Sequence, residues 1–253
     1  MKNNINHIYL TNIFIIDWDD TLFPTSWVNK NSINISESSK IQEYKVYFLE
    51  LDTTISMLLE SLNQVGEIWI VTNASINWIK TCLLELEQTR KTIINNKIRI
   101  VSARDAYSLN SSSPTEWKIL TFQDILEDII SKIINKIKPN TYINIISIGD
   151  AMYEYIALIN LDNYIKSYIS DKLVGLDKLV CSDKSNKLNK LNKSNKLNKS
   201  NKLNKQFKYL LKNIKFIEKP DFDFIIDQMN MLQKNRDYIV NKLEFIDLKF
   251  TIT

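Results

Sequence analysis

Three carboxylates lie within four residues of one another near the start of the chain: Asp17, Asp19 and Asp20. They directly follow an apolar run at residues 13–16, which is typical of a buried β-strand. Like charges at this density repel one another and resist removal from water unless a cation or a proton compensates them. Mg²⁺ is held by a few carboxylates together with water and phosphate oxygens, and a carboxylate can also attack phosphorus. The cluster therefore suggests a metal-dependent phosphoryl-transfer site at the carboxyl end of a central strand.

Segments with strand patterns alternate with segments of helical spacing along the chain. We predict strands at residues 8–16, 67–72, 98–102, 141–148 and 213–217, and helices at residues 38–62, 75–88, 114–137, 151–161 and 221–242. This alternation indicates an α/β fold with a mainly parallel sheet and helices on both faces. Ligands of such sheets bind outside the carboxyl ends of the strands. Because the acid cluster, Thr72 and Asp150 all come at such ends, we expect them to meet at one site.

The acid cluster is the first of four patterns that follow one another along the chain. Residues 17–21 read Asp-Trp-Asp-Asp-Thr after a strand, and residues 68–73 form a strand that ends in Thr-Asn. Lys118 comes next, and residues 146–154 form a strand followed by Gly-Asp and, four residues after that Asp, by an acid. In this order the patterns resemble the motifs of the haloacid dehalogenase (HAD) superfamily, whose phosphohydrolases use an aspartate nucleophile.

The resemblance covers about residues 8–161. More narrowly, the chain looks like the uncharacterised eukaryotic HAD-like proteins whose first motif reads Asp-Trp-Asp-Asp-Thr-Leu, as residues 17–22 do here. It implies a Rossmann-like, three-layer sandwich.

The resemblance also implies a role for each matching residue. Asp17 would attack phosphorus and form an aspartyl-phosphate, and Asp19 would protonate the leaving oxygen and then activate the hydrolytic water. Thr72 would donate a hydrogen bond to a phosphoryl oxygen, and Lys118 would neutralise charge on the nucleophile and the phosphate. Mg²⁺ would be held by Asp17, the main-chain carbonyl of Asp19, and Asp150. The acid at position 19 favours phosphate esters, because a halide leaving group needs no proton.

Several positions keep a second interpretation. Lys80 and Arg104 also lie between the second and fourth patterns and compete with Lys118 for the role of the cation. Asp20 is interpreted as a structural or exposed carboxylate rather than a ligand. Glu154 is either an acid that orients metal-bound water or a first-turn residue that suits the helix dipole.

The two places where this superfamily inserts substrate-selecting cap domains are short in this chain. Residues 23–40 provide 18 residues after the first motif, and residues 103–117 provide 15 before the lysine. We therefore expect a capless or minimally capped, open site. Such a site suits macromolecular substrates, for instance phosphoproteins or nucleic-acid ends, and serves small molecules where an oligomer partner acts as the lid. Arg104 and Tyr107 are the residues of the second loop best able to contact a phosphate or a ring.

Length and composition indicate one globular domain over residues 1–253. The chain is 44% apolar and 25% charged, the balance of an ordinary globular protein. Cys82 and Cys181 have no paired spacing, which favours a reducing compartment. We recognise neither a signal peptide nor a membrane span, so we expect a cytoplasmic protein with no membrane partner. His7 is the sole histidine, which excludes a zinc cluster built on histidines.

A lysine repeat at residues 184–205 accounts for the basic charge of the chain. It holds eight lysines, one at every third residue, and no acid, so the net charge of +4 becomes −4 without it. The total charge is therefore no argument for nucleic-acid binding. We expect a disordered, low-complexity insert, because four leucines bury too little surface to offset its ordering entropy. The alternative is a docking arm for an anionic polymer or a membrane.

Two functions from different classes follow from these patterns. The first is a Mg²⁺-dependent phosphatase that acts on a phosphorylated substrate through an aspartyl-phosphate. The second is a catalytically silent protein that senses phosphate or binds a partner on the same scaffold. The complete series of Asp17, Asp19, Thr72, Lys118 and Asp150 favours the enzyme, because silent relatives usually lose one of these residues.

Overall fold

Six strands form one sheet in the computed structural model, which describes residues 8–36, 42–133, 141–181 and 208–251. The strands are β1 (Tyr9–Ile16), β2 (Gly66–Thr72), β3 (Arg99–Ser102), β4 (Thr141–Gly149), β5 (Lys208–Lys215) and β6 (Ile246–Lys249). They lie in the order β3-β2-β1-β4-β5-β6, and all five neighbouring pairs are parallel. The prediction of an α/β fold with a parallel sheet is confirmed.

Eight α-helices flank the sheet in the described part of the chain. They are α1 (Thr25–Lys30), α2 (Lys45–Asn63), α3 (Ile76–Cys82), α4 (Glu87–Asn95), α5 (Ala103–Tyr107), α6 (Pro114–Ile133), α7 (Met152–Cys181) and α8 (Phe222–Asn241). A short 3₁₀ helix, Gln42–Tyr44, precedes α2.

Alternate side chains of the central strand β1 pack into two separate cores. Phe14 and Ile16 belong to the core beneath α2, α3, α4 and α8, whereas Ile13 and Ile15 belong to the core beneath α6 and α7. This division follows from the two-residue period of a strand whose faces are both covered. The result is a three-layer, Rossmann-like arrangement.

The predicted helix at residues 75–88 is wrong, because the structure has two helices there, α3 and α4. Asp52, on α2, supplies the reason. Its carboxylate accepts hydrogen bonds from the main-chain nitrogens of Gln88 at 2.8 Å and Thr89 at 2.7 Å. These are orphan donors in the first turn of α4, so a side chain distant in sequence stabilises a new helix start.

Other boundaries also differ from the predictions. The fifth strand begins at Lys208 rather than at residue 213, because its buried polar residues hide the apolar pattern. α7 continues to Cys181, well beyond the predicted end at residue 161. β6 was not predicted, because only Ile246 of its four residues is buried. Both short loops hold a brief helix, α1 in the first and α5 in the second.

Some predictions concern residues outside the described ranges. They are the start of the second element at residues 38–41, the helix end at residue 137 and the lysine repeat at residues 184–205, and His7 also lies outside these ranges. None of the helices within the described ranges combines the length and the apolar character that a membrane crossing requires.

Lys212 is a fully buried lysine near the middle of β5. Its Nζ donates hydrogen bonds to the main-chain oxygens of Ile239 and Val240, at 3.1 Å to the latter, near the C-terminal end of α8. Carbonyls at this end of a helix lack partners within the helix, and the helix dipole favours a cation there. Burial nevertheless lowers the pKa of Lys212 to about 8.

We expect this lysine to make the free energy of unfolding rise as the pH increases from about 8 to about 10.4. In that window the unfolded chain, with an ordinary lysine, binds more protons than the folded protein, so removal of protons favours folding. The gain is about 3 kcal/mol, since one pKa unit corresponds to ~1.4 kcal/mol. When the unfolding of Lys212→Met by denaturant is measured across this pH range, the rise in the free energy of unfolding should be absent. Lys208→Met, which changes an exposed lysine of the same strand, should retain it.

Candidate functional site

The carboxyl ends of three adjacent strands form a cleft of ≈ 390 Å³. Asp17 follows β1, Thr72 ends β2, and Asp150 follows β4, and β1 lies between the other two strands. The cleft is lined by Asp17, Asp19, Asp20, Thr25, Asn73, Ala74, Trp78, Lys118, Asp150, Ala151, Tyr153 and Glu154. Four of the five predicted site residues thus line one cleft, and the fifth, Thr72, reaches it through a hydrogen bond to Asp19.

Lys118 is a buried cation at the base of this cleft, with only 1% of its surface exposed. Its Nζ donates to Asp17 Oδ1 at 2.6 Å, to Glu154 Oε1 at 2.7 Å and to the carbonyl oxygen of Val71 at 2.6 Å. These three contacts use all three hydrogens of the ammonium. Burial alone would lower the pKa of Lys118, but the two carboxylates outweigh that effect and raise it. The lysine is therefore charged at neutral pH.

The two other cations considered from the sequence do not line the cleft. Lys80 and Arg104 are both exposed, on α3 and α5. Tyr107 does not line it either, because its hydroxyl donates to Asp124. The second loop instead contacts the edge of the cleft through Pro114, whose carbonyl accepts a hydrogen bond from Asn73 at 3.2 Å.

Asp17 is held in line with its strand and is largely withdrawn from water. Its main-chain nitrogen donates to the carbonyl of Ile148 at 2.9 Å, which continues the ladder between β1 and β4. Burial raises the pKa of its carboxyl well above the ordinary value, and Glu154 adds to the rise while Lys118 opposes it. Among the described residues only Lys118 donates to this carboxylate, and it does so to Oδ1, so Oδ2 receives no hydrogen bond from them.

Asp150 has a fixed main chain and an unpaired carboxyl group. Its nitrogen donates to Thr21 Oγ1 at 3.0 Å, and its carbonyl accepts from Lys215. No described residue donates a hydrogen bond to either side-chain oxygen, although the residue is only 8% exposed. Burial raises the pKa of Asp150 to about 7, and the charges of Glu154 and Asp20 contribute to the rise.

Glu154 lies in the first turn of α7, but it is not a surface residue. It is 3% exposed, and while Oε1 pairs with Lys118, Oε2 has no hydrogen-bond partner. Gly149 makes room for it, because a Cβ at that position would lie 2.5 Å from Glu154 Cγ. Glu154 is thus a first-turn acid of α7 that also lines the cleft, and both interpretations left open by the sequence stay predictions.

Asp19 is held by three donors, two of which the sequence did not suggest. Thr25 Oγ1 donates to Oδ1 at 2.5 Å, Trp78 Nε1 donates to Oδ1 at 2.8 Å, and Thr72 Oγ1 donates to Oδ2 at 3.0 Å. Thr72 Oγ1 also accepts a hydrogen bond from the nitrogen of Ala74 at 2.9 Å. Thr25 belongs to α1 and Trp78 to α3. The carboxylate of Asp19 therefore connects two helices that line the cleft.

Asp20 lies in the cleft wall, but its oxygens are occupied. They accept hydrogen bonds from Ser26, at 2.7 Å from the main-chain nitrogen and 2.5 Å from the hydroxyl. Its φ of 56° is in the left-handed region, which Asp tolerates better than most residues. These contacts fix the start of α1 next to the acid cluster, in keeping with the structural role inferred from the sequence.

Comparisons with known proteins add no assignment. The chain matches no protein-family model, and a search of curated proteins finds no match. Within the described ranges, no group of three or more His, Cys, Asp or Glu side chains is arranged to hold a metal ion. The ligand set expected from the sequence does not depend on such a group, since it combines two carboxylates with one main-chain carbonyl.

Proposed function

We propose that this protein is a Mg²⁺-dependent phosphohydrolase of the HAD type, which cleaves phosphoric monoesters through an aspartyl-phosphate on Asp17. The observation that carries the proposal is the pairing of Asp17 with the buried, charged Lys118 at the carboxyl end of the central strand, beside Asp150. A carboxylate with one oxygen fixed by a cation and the other open to the cleft is suited to attack phosphorus. The same ammonium would stabilise negative charge on the transferred group.

The reaction would take place in two displacements at phosphorus. In the first, Asp17 forms a bond to phosphorus, the bond from phosphorus to the leaving oxygen breaks, and that oxygen takes a proton from Asp19. In the second, a water molecule gives a proton to Asp19 and bonds to phosphorus, while the bond to Asp17 breaks and inorganic phosphate leaves. Acid–base assistance of this kind contributes roughly 10²–10⁴-fold in rate.

The residues around the cleft fit a divalent cation. Asp17 and Asp150 are both buried, both have raised pKa values, and neither side chain has enough donors to satisfy its oxygens. A nearby cation removes the cost of ionising such groups. Mg²⁺ would be held by these two carboxylates and the main-chain carbonyl of Asp19, with oxygen ligands throughout. It would supply charge neutralisation for the phosphoryl oxygens.

The described parts of the two insertion points favour an open site. Residues 23–36 contain α1 alone, and residues 103–117 contain only α5 and the start of α6. Neither segment is large enough to form a cap domain, so we infer a capless enzyme whose nucleophile is reachable by a phosphate group on a large molecule.

A chelator experiment tests this proposal. The purified protein should hydrolyse an aryl phosphate in the presence of Mg²⁺ and lose at least about 100-fold in rate with excess chelator, because the cation stabilises the transferred charge by several kcal/mol. Restoring Mg²⁺ should restore the rate. A panel of phosphopeptides and small phosphate esters, assayed in the same way, would then identify the substrate class.

Two variants sharpen the result. Asp150→Asn should raise the Mg²⁺ concentration needed for half-maximal rate by about 10-fold or more, because it removes one of two anionic ligands. Asp221→Asn, a change of an exposed acid paired with Lys30, should leave that concentration unchanged. If the protein bound inorganic phosphate but turned over no substrate with any metal, the phosphate-sensing alternative would replace the enzyme.

A further inference from the structure

The two carboxyl oxygens of Asp19 have different surroundings. Oδ1 accepts hydrogen bonds from both Thr25 and Trp78, whereas Oδ2 accepts one from Thr72 alone. The donors to Oδ1 belong to helices α1 and α3, and the donor to Oδ2 is the last residue of β2. Oδ1 of Asp19 therefore has two hydrogen-bond donors, and Oδ2 has one.

Thr72 has a single hydroxyl proton, and in this structure Asp19 receives it. The oxygen of that hydroxyl also accepts a hydrogen bond from the nitrogen of Ala74. A hydroxyl donates only one hydrogen bond. If Thr72 donates to a bound phosphoryl group, the role expected for it in a HAD-type phosphohydrolase, it must release Oδ2 of Asp19.

The two donors to Oδ1, Trp78 and Thr25, do not have to leave Asp19 when a phosphoryl group binds. The indole N–H of Trp78 is a donor only, and its ring packs edge-to-face on Phe23 with centroids 6.0 Å apart. Thr25 is the first residue of α1, and its main-chain nitrogen donates to the carbonyl of Phe23 at 2.8 Å. The ring of Trp78 and the main chain of Thr25 are thus both anchored to Phe23 independently of any ligand.

We infer that Trp78 and Thr25 are positioning residues that fix Oδ1 of Asp19, and that phosphate binding frees Oδ2 as the oxygen that exchanges a proton with the leaving group and the water. The inference rests on the proposed function. It assigns helices α1 and α3 a task beyond lining the cleft, since each supplies one donor to the same carboxyl oxygen. Without these donors Asp19 would rotate once Thr72 turned to the phosphate.

The change Trp78→Phe tests the inference, because it removes the indole N–H and keeps an aromatic ring. With an aryl phosphate, kcat should fall about 10-fold while KM changes less than about 2-fold, since the lost hydrogen bond positions a carboxyl group that transfers a proton but does not hold the substrate. With an alkyl phosphate, whose leaving oxygen depends more on the proton, the fall in kcat should be larger. Tungstate, a phosphate mimic, should raise the melting temperature of the variant as much as that of the wild type.

Matched variants separate positioning from general damage. Trp27→Phe makes the same change on α1, where the indole N–H has no acceptor among the described residues, and it should retain the wild-type kcat. Thr25→Val should repeat the loss seen with Trp78→Phe, and Thr25→Ser, which restores the hydroxyl, should recover the rate to within about 3-fold. The threonine pair decides the question even if Trp78→Phe folds poorly.

The outcomes distinguish the inference from the function it rests on. An active wild type whose Trp78→Phe and Thr25→Val variants keep kcat within about 2-fold on both esters would overturn the inference and leave the phosphatase intact. Equal losses on aryl and alkyl phosphates would overturn it too, because proton transfer would then not be the step affected. A wild type inactive on both esters would overturn the proposed function and the inference together.

Discussion

Asp17→Asn is expected to abolish phosphatase turnover, with kcat at least about 10³-fold below that of the wild type. A carboxamide does not attack phosphorus, so no aspartyl-phosphate forms. The fold should remain, because Lys118 keeps its contacts with Glu154 and with the carbonyl of Val71. Steady-state kinetics and the far-UV circular dichroism spectrum of the variant measure the two parts of this expectation.

The covalent intermediate gives this prediction a second readout. Wild-type protein quenched in acid during turnover should carry one phosphoryl group by mass spectrometry, on the peptide that contains Asp17, and the variant should carry none. Asp221→Asn, the exposed control, should be phosphorylated like the wild type. A variant at position 17 that kept the wild-type rate would show that this carboxylate is not the nucleophile.

The parts of the site that the sequence predicted are those determined by short stretches of chain. An apolar run that ends in acids places Asp17 and Asp19 at the end of a buried strand whatever the rest of the chain does. Asp150 follows another such run, and parallel strands bring both ends to one edge of the sheet. The central strands and this meeting of acids therefore follow from local pattern and general topology.

The features that the sequence did not predict depend on contacts between distant residues. Trp78 donates to an acid 59 positions earlier in the chain, and no local pattern sets that tryptophan apart from the others. Asp52 begins a helix 35 positions later, at Glu87, by accepting its first free donors. Lys212 is buried in a strand because the end of α8 accepts its hydrogens. In each case a polar side chain has a partner that only the folded chain supplies.

Lys118→Met is expected to lower the free energy of unfolding by about 3–5 kcal/mol. The change removes the only cation that contacts Asp17 and Glu154 in the described structure and leaves two buried acids without it. Loss of one partner from a buried ion pair has this cost because the remaining charge is neither solvated nor compensated. Lys132→Met, on the same helix but in an exposed pair with Asp128, should cost less than about 1 kcal/mol.

A double-mutant cycle identifies the cause of this loss. If the instability comes from unpaired acids, Asp17→Asn added to Lys118→Met should recover part of it, with a coupling of about 1–3 kcal/mol, because one of the two carboxylates is then gone. The methionine itself is apolar and of similar length, so lost packing alone gives little coupling to position 17. Chemical denaturation of the wild type, both single variants and the double variant provides the four free energies. Purely additive values would mean that Lys118 stabilises the fold through its stem and its bond to Val71, and that its charge serves the reaction rather than the core.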